Sequence, residues 1–81
     1  MNLSEQADHI ASMEDFLNFM VQLAMDAKEH PEQWANKNVT DYLGQMASWI
    51  DDCHIFEKNI DWDSLDYQAF AKILYMGKIY E

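Results

Sequence analysis

Four consecutive residues, Asp51-Asp52-Cys53-His54, are all of types that bind metal ions or move protons. On a helix, successive side chains diverge by about 100°, so four in a row cannot converge on one ion. A second stretch, Asp61-Trp62-Asp63-Ser64-Leu65-Asp66, places side-chain oxygens at short intervals in the manner of a calcium loop. An EF-hand requires an oxygen ligand at its fifth position and glycine at its sixth, where this chain has Leu65 and Asp66. Helix capping and a solvated turn are the expected uses of these aspartates. His9 and His30 have no Cys or Ser partner at suggestive spacing. The sequence therefore predicts no catalytic residues, no metal site and no cofactor, and the expectation is a protein that is not an enzyme.

What the acidic residues offer instead is charge. Between residues 41 and 66, Asp41, Asp51, Asp52, Glu57, Asp61, Asp63 and Asp66 face Lys58 alone, a net of −6. Charge runs are usually solvated faces. Here almost no lysines are interleaved to form i,i+4 pairs. Asp51 and Asp52 also fall where a helix should end, and carboxylates facing the negative end of a helix dipole give up about 0.3–1 kcal/mol each. Such placement points to a cationic partner, whose encounter clustered carboxylates accelerate. Trp49, at the edge of an apolar arc, and Trp62, between two aspartates, suit either the core or the anchors of an interface. The expected partner-binding set is Asp41, Trp49, Asp51, Asp52, Glu57, Asp61, Trp62, Asp63 and Asp66.

Helices must position these side chains. Leu3, Ala7, Ile10 and Ala11 have helical spacing and allow a short first helix. Ser12 begins a Ser-x-x-Asp cap, after which Phe16, Leu17, Met20, Val21, Leu23, Ala24 and Ala27 fall in one arc. Pro31 ends that helix and can open one extra turn, from which Trp34 is expected to fold back over the core. Thr40 is the expected cap of the next helix, with Val39 as a hydrophobic staple. Tyr42, Leu43, Met46, Ala47, Trp49, Ile50 and Cys53 share one side of it, while Asp41, Gln45, Ser48, Asp51 and Asp52 share the other. Continuing past His54–Phe56 would put Glu57 inside the apolar arc, so the helix should stop there. Asp63 or Ser64 is the expected cap of a last helix with a wide apolar arc of Leu65, Ala69, Phe70, Ile73, Leu74, Met76 and Gly77. The predicted fold is all-α: a compact bundle of three main helices, with a short extra N-terminal helix allowed, in one domain over residues 1–81.

Bulk composition agrees. Of 81 residues, 49% are apolar and eleven are aromatic, which argues against disorder despite a net charge of −10. Two Gly and one Pro suit helices better than a turn-rich β fold. Cys53 is the single cysteine, so no internal disulfide forms, as expected of a reducing compartment. No apolar run approaches the roughly 18 residues of a membrane span, and no basic, apolar leader opens the chain. A soluble, cytoplasmic protein is expected. Its charge disfavours direct contact with nucleic acid or a membrane surface.

The segments W-A-N-K-N-V-T-D-Y-L (34–43), A-S-W-I-D-D (47–52) and F-A-K-I-L-Y-M-G-K-I-Y-E (70–81) resemble a family of small acidic bacterial proteins known only as a domain of unknown function. The similarity covers roughly residues 13 to 81. It brings no catalytic residue, and implies that Trp34, Trp49, Asp52 and the end of the chain belong to a shared scaffold. By size and charge alone, the chain is also similar to immunity proteins of bacterial competition, including those paired with contact-dependent growth inhibition toxins. That analogy implies a non-enzymatic inhibitor that covers the cationic cleft of a cognate toxin, a nuclease by preference. The alternative expectation is a small adaptor or regulatory module, homodimeric through edges such as Phe19, Met25 and Tyr75. Neither fixes an oligomeric state.

Overall fold

A computed structural model describes residues 2–81. In chain order it contains α1 (Leu3–Asp8), α2 (Met13–Glu29), a single 3₁₀ turn (Pro31–Gln33), α3 (Val39–Cys53), a second 3₁₀ turn (Trp62–Ser64) and α4 (Tyr67–Ile79). The protein is all-α, with no strand among the described residues.

The chain divides into two compact units, the first ending at Met46 and the second spanning Ala47–Glu81. In the first, Asn2 caps α1 by accepting the Glu5 amide at 2.8 Å. α1 packs against α2. Ser12 caps α2 as its position predicts, its hydroxyl accepting the Asp15 amide at 3.1 Å. The Asp15 carboxylate in turn accepts the Ala11 amide at 3.1 Å, so two of the donors at the helix start are satisfied reciprocally. α2 stops at Glu29, short of Pro31, which opens the 3₁₀ turn. Trp34 then comes back onto the unit. Its indole Nε1 donates to Asp26 at 2.8 Å, and its ring stacks on Tyr42 with centroids 6.0 Å apart and planes 28° from parallel. The residue is half-buried, a strut between α2 and α3 more than a core side chain.

α3 begins two residues earlier than its expected cap would allow. Asn38, and not Thr40, holds its first turn: Asn38 Oδ1 accepts the Asp41 amide at 2.8 Å, and Asn38 Nδ2 donates to the Asp41 carboxylate at 3.0 Å. Thr40 lies inside the helix. Cys53 closes α3, and the chain turns through His54–Phe56 as the position of Glu57 requires.

α4 also starts elsewhere than expected. Ser64 donates its hydroxyl to Asp61 at 2.7 Å and its amide bonds the Asp61 carbonyl at 3.2 Å, so Ser64 closes a turn and does not open a helix. Leu65 is extended, and Asp66 caps α4 by accepting the Ala69 amide at 3.0 Å. Asp63 sits within the 3₁₀ turn.

The apolar arcs of α2, α3 and α4 stand where periodicity puts them, yet each remains about half exposed. Among the described residues none is buried. Cys53, expected to be a buried small hydrophobe, is half-buried. No helix among the described residues is long and apolar enough to cross a membrane.

Candidate partner-binding site

The second unit gathers part of the predicted set around one side chain. Trp62, in the 3₁₀ turn, folds back onto the last two turns of α3. Its ring lies 6.0 Å from Trp49, tilted by 50°, and 6.3 Å from the His54 imidazole in an edge contact at 80°. Its Nε1 donates to the Glu57 carbonyl at 3.3 Å, and the Tyr67 hydroxyl donates to the Trp62 carbonyl. The loop is thus tied to both helices of its unit through one residue. Indole suits the post because it has apolar faces for packing and one polar edge for a carbonyl.

His54 is itself fixed. Its Nδ1 meets the Ile50 carbonyl at 2.7 Å, and because a carbonyl only accepts, Nδ1 carries the proton. Nε2 is left as the acceptor in the neutral ring. Between these groups lies a hollow of about 430 Å³ lined by Ala47, Ile50, Asp51, His54, Trp62 and Tyr67. Trp49 stands beside Trp62 at 44% exposure, and Trp62 is half-buried.

Other members of the set have local duties. Asp41 belongs to the first unit, bound in the Asn38 capping pair. Asp66 caps α4, Asp61 holds Ser64, and the Glu57 carboxylate accepts the Asn59 amide at 2.9 Å. Asp51, Asp52 and Asp63 form no hydrogen bond through their carboxylates and no ion pair among the described residues. The ion pair found among the described residues is His30–Glu32, at 3.7 Å, so Lys58 neutralises none of the acids around it. No base occupies the last turn of α3 to offset Asp51 and Asp52.

His54 and Tyr67 were not in the expected set. A signal for His54 exists in sequence, since it follows Asp51 by three residues and so lies one helical turn beyond it on the same side. Tyr67 had none, because its place depends on the fold-back of the loop.

Chemically, the hollow offers one carboxylate oxygen pair, an imidazole edge and an indole face within a short reach. A lysine or arginine entering it would pair with Asp51 and lie over Trp62, and a cation within about 6 Å of an indole centroid is attracted by the ring. No group of three or more His, Cys, Asp or Glu side chains suited to a metal ion occurs among the described residues.

The family model described as "Family of unknown function (DUF7660)" matches residues 12–81, and the chain belongs to that family. No curated protein and no solved structure matches the chain.

Proposed function

We propose that this member of DUF7660 is an immunity-type inhibitor, a bacterial cytoplasmic protein that binds a cognate toxin and covers its cationic substrate cleft. It does no chemistry itself. The observation that carries the reading is the hollow beside Trp62. An unpaired Asp51 stands against an indole and an imidazole, with Trp49 exposed next to it and Asp52 and Asp63 also unpaired. A nuclease toxin suits this surface best, because its cleft must be positive to hold phosphates. Asp51, Asp52 and Asp63 would meet that charge first, and Trp49 and Trp62 would anchor the contact once water is expelled. Glu57, Asp61 and Asp66 add to the local field while keeping their structural bonds.

The test is co-expression with the product of the neighbouring gene, which on this reading ends in a basic, toxin-like domain. The wild-type chain should restore growth and co-purify with that domain. Asp51→Lys with Asp52→Lys should abolish both while circular dichroism keeps its helical signal. If the doubly reversed protein protects as well as the wild type, the acidic surface is not the inhibitor.

A further inference from the structure

Every side-chain donor that lines the hollow beside Trp62 is already spent within the chain. Trp62 Nε1 donates to the Glu57 carbonyl at 3.3 Å, and the Tyr67 hydroxyl donates to the Trp62 carbonyl. His54 Nδ1 donates to the Ile50 carbonyl at 2.7 Å. The remaining lining residues, Ala47, Ile50 and the Asp51 carboxylate, have no side-chain donor to offer.

What is left over can only accept. The Asp51 carboxylate has no hydrogen bond and no ion pair among the described residues. His54 keeps Nε2 as an acceptor in its neutral ring, and the Tyr67 oxygen keeps a lone pair. A ligand matched to this hollow therefore carries donors without acceptors, and a positive charge for Asp51.

Two biological groups meet that description, ammonium and guanidinium. An ammonium gathers its donors at one point and holds its water tightly, whereas a guanidinium spreads five donors over a plane, is weakly hydrated and stacks on aromatic rings. Here the acceptors are carried by three side chains, from α3, the turn after it and the start of α4, with the Trp62 indole beside them. A flat fork serves that arrangement better than a point charge. Ala47 and Ile50 add an apolar wall for the methylene stem.

We infer that the hollow takes the guanidinium of an arginine side chain from a partner protein, in preference to a lysine ammonium. All six lining residues belong to the unit Ala47–Glu81, so the site is complete within that unit. The same unit carries seven acids against three lysines. A free guanidino acid would bring its own carboxylate into this field, and an arginine inside a chain brings none. The inference rests on the reading of the hollow as the contact for a cationic partner.

The test is an NMR titration of the ¹⁵N-labelled full chain with N-acetyl-arginine-N-methylamide. Shifts should centre on Asp51, His54, Trp62 and Tyr67 and saturate with a Kd on the order of 10 mM, as suits so few contacts. The matching lysine probe should bind at least about threefold more weakly. N-acetyl-arginine, with its carboxylate free, should also bind more weakly than the capped probe. Asp51→Asn should weaken the arginine probe at least about fivefold. His54→Phe, which keeps an aromatic ring and loses the acceptor, should reduce the preference for arginine over lysine. Equal binding of the two capped probes by the wild type overturns the inference, as does the absence of shifts up to about 100 mM arginine probe. So does tighter binding of the free acid, or arginine binding that Asp51→Asn leaves unchanged. These probes report on the hollow and growth protection reports on the toxin. Arginine binding without protection overturns the inhibitor alone, and protection by a chain whose hollow ignores arginine overturns this inference alone.

Discussion

Trp62 concentrates more of the second unit's side-chain contacts than any other residue of its loop. It touches Trp49 and His54, bonds the Glu57 carbonyl and receives the Tyr67 hydroxyl. Replacing it by alanine removes the ring contacts and one half-buried hydrogen bond together. Because the site is only half-buried, the loss should be about 1–2 kcal/mol, below the 3–5 typical of core tryptophans. Trp62→Phe keeps most of the packing and loses the N–H bond, so about 0.5–1 kcal/mol is expected. Urea titrations followed by circular dichroism would separate the two. Asp52→Lys should have the opposite sign, since it puts a cation at the negative end of α3 and stabilises by about 0.3–1 kcal/mol. A carboxylate whose replacement strengthens the fold has been kept for another reason, and partner capture is the reason proposed.

At the scale of helices, the caps decide where elements begin, and two of them discriminate between sequence and structure. Asn38→Ala should cost about 1 kcal/mol of stability in thermal melts, while Thr40→Ala should cost little, because Asn38 makes the capping bonds to Asp41. In the same way Asp66→Ala should cost about 1 kcal/mol and Asp63→Ala close to nothing. The contrast shows what was legible. Ser12 and Pro31 act through neighbours three residues away or fewer, so their roles were open to inspection. In Asn36-Lys37-Asn38-Val39-Thr40 several residues are good caps, and what selects Asn38 is an acid three residues on, which Thr40 lacks: its third neighbour is Leu43. Ser64 looked like a cap but is already spent on Asp61. The hollow itself was out of reach, since Trp62 and Tyr67 join Asp51 and His54 only once the segment between α3 and α4 has folded. The faces of α2, α3 and α4 were legible as faces, though periodicity does not say what covers them.

For the whole chain, a net charge of −10 on 81 residues acts on two processes with opposite sign. Fifteen acids against five lysines repel one another in the folded chain, and mobile ions screen that repulsion. Raising sodium chloride from about 10 mM to 300 mM shortens the Debye length from roughly 30 Å to below 10 Å. The melting temperature should therefore rise over this range, by a few degrees. Capture of a cationic toxin should instead slow, because the same screening removes the attraction that guides the encounter. The two responses share one cause, so they are best measured on one sample: a thermal melt and a stopped-flow association series in the same buffers. Fold and binding should move apart as salt increases. If association stays constant while the melt rises, the acids repel one another without steering anything, and the high charge serves solubility alone.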